Sequence, residues 1–392
     1  MKRLRCLTVI LVLVLILSST AVVQGLEIST DIKLDLERDT DENKTDDREK
    51  INLTLEEQFN FTTDGYLDLE IESDYEDDTD IGIHEAYINY YTRDIDWRLG
   101  KQEVSWGSAY KIKPTDYFSP NDVSDMHPLD EKFGVTGVKG IYYAPNGLEV
   151  TGIAIPDFEA DEVEDGREAE VFKAATEERP TISDYTVQDA DDLQLGVKVT
   201  KRRVNNFDLS FSAYHGRDNL PILDKKKTKN NLDPTAPKAF IKYPEVTKSG
   251  FDIIGDIDDM GIWLETAYSD YDDSQYDDIF ETAVGIDYKF DSDLYLVGQW
   301  YNKEGRLSSE PKINAFNFYA SKPVWNFHEL EFTALYDTES DAYLLEPQFN
   351  YSIDDSIELQ VGATYAHNED DAGGMVSALA QDRLYTRLNI EF

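Results

Sequence analysis

After Cys6 this 392-residue chain has no cysteine, which excludes disulfide staples, thiolate catalysis and cysteine-ligated metals from the rest of its length. Long apolar runs are equally scarce: beyond Leu7–Leu17, no stretch approaches the roughly 18 apolar residues that a membrane-spanning helix needs. Positive charge is the third shortage. The chain sets 37 Lys+Arg against 80 Asp+Glu, a formal net charge of −43, and this argues against nucleic acid or an anionic lipid surface as a partner. Such acidity is typical of disordered chains, but 24 Tyr and 18 Phe set in regular alternation exclude disorder for most of the length. Two sources of the acidity remain. One, the favoured one, is adaptation to high salt (a halophilic surface), where carboxylates keep a protein hydrated and screening tolerates their repulsion. The other is a functional demand for negative charge.

Residues 1–25 read as a secretory signal peptide. Lys2, Arg3 and Arg5 precede the apolar run, and Val23 and Gly25 sit at the −3 and −1 positions of a cleavage site before Leu26. Cys6 lies ahead of the apolar run, whereas a lipid-bearing cysteine would have to follow it.

From residue 26 onward the dominant period is two. In the last eleven residues Leu384, Thr386, Leu388, Ile390 and Phe392 share one parity, while Arg383, Tyr385, Arg387, Asn389 and Glu391 share the other. A strand with one apolar and one polar face is implied. The pattern recurs clearly at 27–37, 51–61, 67–72, 193–199, 207–213, 280–290, 330–336, 343–351 and 357–365, and more weakly between them. The count is about eighteen strands (16–18). Connections alternate between short and long. Thr62–Gly65, Pro145–Gly147, Asp258–Asp259, Asp291–Asp293 and Asp354–Asp355 are turn-like, whereas 39–49, 106–132, 157–191, 217–248, 303–312 and 367–381 are long and polar. That segregation predicts an all-β, antiparallel up-and-down transmembrane barrel with short periplasmic turns and long external loops. A soluble β-sandwich would not sort its loops by length. Every second residue facing lipid reconciles this with so polar a composition.

The terminal Phe392, preceded by alternating apolar residues, resembles the C-terminal assembly signal of bacterial outer-membrane barrels. Arg98-Leu-Gly-Lys-Gln102, then Trp106-Gly107, then Pro114-Thr-Asp-Tyr-Phe-Ser-Pro120 resembles a segment of several porin-like outer-membrane families. The resemblance covers about 25 residues. It implies a channel in the bacterial outer membrane, with lipid, the barrel-assembly machinery and a small hydrophilic solute as partners, together with homo-oligomerisation. It implies no cofactor and names no solute.

By parity, Arg98 and Gln102 face the lumen with Gly100, and Lys101 faces lipid unless it snorkels to the rim or a bulge intervenes near Gly100. The proline-marked stretch 106–132 is an ordered loop. Either it folds inward and narrows the lumen through Trp106, Lys111, Lys113 and Asp116, or Trp106 anchors the strand top in an aromatic girdle. Asp31, Asp35, Glu56, Glu70, Glu265 and Glu346 are channel-lining acids by parity. Lys198, Arg383 and Arg387 are channel-lining cations. Closure of the barrel should set Arg383 and Arg387 beside the acidic first strand, either as opposed strips that create a transverse field or as simple pairs.

Other constellations carry less. Clustered carboxylates at Asp270–Asp278 and around Asp39, Asp41 and Asn43 have calcium-loop chemistry, but Lys44 and Lys50 replace the required Gly and Glu, so solvated loops are the better reading and no metal site is expected. Ser124, Asp125 and His127 share one loop, yet a catalytic set is a matter of geometry, and no enzyme is expected. Residues 157–177 suit a short loop helix. The leading functional reading is a passive, cation-preferring diffusion channel for small hydrophilic solutes or ions. The alternatives are a surface anchor presenting loops 106–132, 157–191 and 217–248 to polysaccharide or a partner and, remotely, a barrel-embedded hydrolase.

Overall fold

The computed structural model of the chain describes residues 26–39, 45–73, 79–121, 132–158, 184–187, 193–219, 222–223, 238–273, 276–305, 312–367 and 382–392. The signal-peptide segment, the Ser124/Asp125/His127 group, most of the 157–177 segment and Asp41, Asn43 and Lys44 lie outside these residues.

Strands alternate so regularly because each has one apolar face to cover and one polar face to solvate. The first are β1 (Leu26–Asp39), β2 (Thr45–Asn60), β3 (Thr63–Ser73), β4 (Thr79–Tyr91) and β5 (Ile95–Gln102). Then come β6 (Val135–Tyr143), β7 (Leu148–Ile155), the short β8 (Asp184–Val187), β9 (Gln194–Val204) and β10 (Phe207–Arg217). Two further short strands, β11 (Ile222–Leu223) and β12 (Lys238–Lys242), precede β13 (Glu245–Ile257), β14 (Met260–Tyr271), β15 (Ile279–Lys289) and β16 (Tyr295–Lys303). The last are β17 (Ile313–Val324), β18 (His328–Asp337), β19 (Ala342–Asp354), β20 (Ile357–His367) and β21 (Arg383–Glu391).

All but β8, β11 and β12 join one 18-stranded sheet in which each strand pairs with its neighbours in the chain. Every one of these ladders is antiparallel, and β21 pairs with β1, so the sheet closes on itself. Closure leaves no unpaired edge. Phe392 completes the seam through the two backbone bonds it exchanges with Thr30, at 2.9 and 3.1 Å. The three short strands form a separate small sheet among the connections that follow β7 and β10.

Connections at one end are tight: 61–62, 92–94, 144–147, 205–206, 258–259, 290–294, 325–327 and 355–356. Asn205 (φ 52°) with Asn206 (φ 71°) gives two left-handed residues in succession, the twist that a two-residue hairpin needs, and Trp325 (φ 50°) with Asn326 (φ 74°) does the same within a three-residue connection. The long connections all lie at the other end. Outward-facing Val138, Val197, Phe211, Val284, Phe316, Phe332 and Val361 are exposed around the middle of the wall. Exposed aromatics ring both ends: Phe61, Tyr90, Tyr142, Phe290, Trp325 and Phe327 near the turns, and Tyr268, Phe280, Tyr336 and Tyr365 near the loops.

Two local expectations are corrected. β2 begins at Thr45 rather than near residue 51, and Thr45–Lys50 pair with Lys33–Arg38. Charged side chains on both parities there hide the strand from any search for apolar alternation. No bulge occurs at Gly100: β5 keeps its register with both neighbours, and Gly100 (φ 132°) instead brings its bare backbone close to Tyr87 Cα, 2.8 Å from where a Cβ would be. The irregularity falls on the next ladder, between Asp68 and Leu69, and leaves His84 as the extra residue of β4. Lys101 points outward one residue from the loop-side end of β5, so its stem has a short reach to the rim.

Candidate functional site

The connection between β5 and β6 turns into the barrel. Val104, Trp106, Tyr117 and Phe118 are apolar enough to leave water, and they pack on Val135, Ile153, Ile155, Tyr214 and Val246 of the inner wall. Trp106 meets Phe118 edge-on at 4.9 Å between centroids, and Phe118 meets Tyr214 edge-on at 5.1 Å. Bare glycine backbone makes room for these rings. A Cβ at Gly196 would lie 2.9 Å from Trp106, and one at Gly250 would lie 2.6 Å from Thr115. Burial pushes the Tyr117 phenol above its ordinary pKa, so it stays neutral beside Ser212. The inward-folding reading of the loop is therefore the one realised, and Trp106 is an interior anchor rather than a girdle residue.

Polar staples fix the loop's far end. Fully buried Glu265, on β14, accepts from Thr115 N (2.6 Å), Ser108 N (2.8 Å), Ala109 N (2.9 Å) and Thr115 Oγ1 (2.9 Å). Gln299, on β16, accepts from Tyr110 N and Trp263 Nε1, and donates back to the carbonyls of Tyr110 and Ile112. Tyr110 reaches the ring of Tyr319 on β17, at 5.8 Å between centroids. In the closed strand order β14–β17 stand across from β5, so the loop spans the interior. Asp116 holds the loop's two limbs together by accepting from Trp106 N, Ser105 Oγ and Lys132 Nζ. His84 sets one ring nitrogen on the Lys132 carbonyl (3.0 Å) and the other on Asp68 (3.3 Å).

The remaining wall, from β18 through β21 and on to β3, keeps its charged side chains. Across the seam Arg387 makes a two-pronged ion pair with Asp35, at 2.7 Å on each prong, and Arg383 reaches Glu37 at 3.0 Å. One strand further on, Lys50 pairs with Glu70 and Arg48 with Glu72, each at 2.9 Å. The opposed strips of the sequence reading are therefore a lattice of neighbouring pairs, because antiparallel register sets Arg387 directly opposite Asp35. Paired charges cancel most of their field beyond a few ångströms. β18–β20 differ. Glu331 accepts from Asn350, Glu346 from Tyr385 and Glu358 from Gln360. Glu329, Glu331 and Glu358 have no cation at ion-pair distance among the described residues. Lys111, left-handed at φ 55°, lies near Glu331 from the loop side.

The structure thus sorts the expected lining residues into two groups. Asp31, Asp35, Glu70, Glu346, Arg383 and Arg387 sit on the inward face of the charged wall, Arg98 faces inward on β5, and Glu56 lies lower, near the turns. Gln102 (1 % exposed), Glu265 and Lys198 face inward as expected but are sealed under the loop. Lys198 donates to the Trp106 carbonyl and pairs with Asp252, so it is a loop anchor. Lys113 donates to Ser105 within the loop. Sequence reasoning missed Gln299, His84, Arg48, Lys50 and Lys139. Only Lys139 carried a signal, since it shares inward parity with Gly137 beside the Arg98 motif. Among the described residues no group of His, Cys, Asp and Glu is arranged to hold a metal.

No protein-family model matches the chain, and no curated protein matches its sequence. Solved structures do match in shape. Pseudomonas aeruginosa OccK5 aligns with a TM-score of 0.60 at 10% identity, covering 94% of this chain and 98% of that one. OccD3 of the same organism gives 0.58 at 8% identity, covering 95% and 92%. OccK11, also from that organism, gives 0.56 at 8%, covering 94% and 95%. At such identities the likeness is one of fold: this chain is a closed 18-stranded antiparallel barrel similar in architecture to these three structures.

Proposed function

We propose that the protein is a porin-like channel of the bacterial outer membrane, through which small hydrophilic solutes and ions diffuse passively. The observation that carries this reading is the crossing loop. It is stapled by Glu265 and Gln299 over the apolar half of the interior, and it leaves the charged half as the polar path. A barrel this wide is not filled by wall side chains alone, so a loop folded against one side sets the width of what remains. The outward apolar band between two rings of aromatics supports a lipid-facing surface.

The path is cation-preferring in this reading. Its cations on β21 and β2 are paired with carboxylates, whereas Glu329, Glu331 and Glu358 on β18 and β20 face the lumen with no cation at ion-pair distance among the described residues. Charge rings of this kind set selectivity by raising the local concentration of the opposite ion. Reconstitution into liposomes tests the reading. Swelling in isosmotic sugars and amino acids should fall steeply with solute size. Liposomes that carry the folded barrel and do not swell in any small solute would leave it as a surface platform.

A further inference from the structure

His84 is the extra residue where the β3–β4 ladder shifts register, and a bulge of this kind re-aims a side chain. His84 and Glu85 both turn inward as a result, toward the foot of the crossing loop, where Glu85 accepts from the Glu103 amide at 2.6 Å. The imidazole ties the loop's returning limb to the wall: Nε2 lies 3.0 Å from the Lys132 carbonyl and Nδ1 lies 3.3 Å from Asp68 Oδ2. The limb's other bonds stay within the loop. Lys132 bridges to Asn121, its ammonium donates to Asp116, and Phe133 N donates to the Pro120 carbonyl at 2.9 Å. Both partners of the ring are acceptors. A neutral imidazole has one N–H and can donate to only one of them, which leaves the lone pair of the other nitrogen against an oxygen. The two contacts coexist only when His84 and Asp68 together hold one proton more than a neutral ring and a bare carboxylate. Asp68 is 8 % exposed, its Oδ1 has no hydrogen-bond partner, and no Lys or Arg lies at ion-pair distance from it among the described residues. An uncompensated carboxylate in such a place is costly. The other charged groups around the ring are Glu70 on β3 (itself paired with Lys50 of β2), Glu85 beside it on β4, and Glu103, Asp116 and the Lys132 ammonium from the loop. Gln102 of β5 and Gly134 at the approach to β6, which also meet this point, are uncharged.

We propose that His84 is a proton-operated latch on the crossing loop: protonated, it fastens the loop's returning limb to Asp68, and deprotonated, it lets that limb go. The latched state binds one proton more than the released state, so lowering the pH favours latching and raising it favours release. The consequence for conduction, a steadier and narrower path in acid, rests on the channel reading above.

Hydrogen exchange around Phe133, whose amide donates to Pro120, reads the latch in the folded barrel in detergent without requiring transport. Protection there, corrected for the intrinsic pH dependence of exchange, should fall about tenfold or more between about pH 5 and about pH 9, as a hydrogen bond to a charged group is lost. His84→Leu should show the weak protection at both pH values. Asp68→Asn should show the strong protection at both, because its amide can donate to Nδ1 while Nε2–H donates to Lys132, so that a neutral ring satisfies both partners. Titration of Glu103 or Asp116 would not drive these two variants in opposite directions. Circular dichroism checks that each variant keeps its strand content. Single-channel current over the same pH range separates the two claims, since its noise should rise with pH in the wild type and in neither variant. Wild-type protection that does not change, a change that persists in His84→Leu, or loosening of Asp68→Asn at about pH 9 overturns the latch, whether or not the barrel conducts. A pH-dependent loop in a barrel that never conducts overturns the channel and leaves the latch standing.

Discussion

Glu265→Leu should release the crossing loop. The carboxylate accepts from three backbone N–H groups and one hydroxyl at 2.6–2.9 Å while fully buried. Each backbone donor left without an acceptor in that interior costs about 1–3 kcal/mol, so three together cost about 3–9 kcal/mol if the loop stays in place. The loop need not bear this, because swinging toward water re-satisfies the donors and gives up only the packing around Trp106, Tyr117 and Phe118. Strand ladders do not depend on Glu265, so the barrel should still assemble. The expected result is a larger and noisier single-channel conductance in planar bilayers, with new protease cleavage between Val104 and Pro120 in the folded protein. Glu265→Gln, which keeps one accepting oxygen, should fall between the two. A Leu variant with wild-type conductance and a protected loop would refute the staple.

Arg387→Gln leaves Asp35 uncompensated where the pair is 6 % and 7 % exposed. It should destabilise the closing seam by about 3–5 kcal/mol at most, less where lumen water reaches the carboxylate, and raise cation preference, read as heat resistance on a gel and as reversal potential. Gly196→Val places a side chain where Trp106 and Phe118 rest, and should loosen the loop much as Glu265→Leu does while leaving strand content by circular dichroism unchanged. Phe392→Ala, or loss of β21, should impair assembly far more than changes in the loops, because that strand closes the sheet. Normal membrane levels of the truncated chain would contradict the closure.

Strand number and order were legible in the sequence because a barrel wall is the simplest reader of period two: successive side chains point alternately outward and into the barrel, so alternation persists from Ile28 to Phe392. The reading failed at Thr45–Lys50, where Asp47, Arg48, Glu49 and Lys50 put charge on both parities. Direction was also legible, since Glu265, Lys198 and Gln102 do point inward. Their surroundings were not, because parity says which way a side chain points and nothing about what lies across the lumen. The Ser108–Glu265 contact joins residues 157 apart in sequence, and only the chain's path across the barrel brings them together. For the same reason Arg383 and Arg387 were placed beside the first strand with strips and pairs both left open: one residue of register decides between opposed strips and the Arg387–Asp35 fork.

The reversal potential of the purified, folded protein in a planar bilayer under a salt gradient tests the central claim most directly. Discrete conductance steps are expected, with a potential of the sign that cation preference gives. That preference should weaken as salt rises and the Debye length falls from about 10 Å at 0.1 M to about 3 Å at 1 M. Folded protein that inserts without conducting, or steps that favour anions at low salt, would contradict the account.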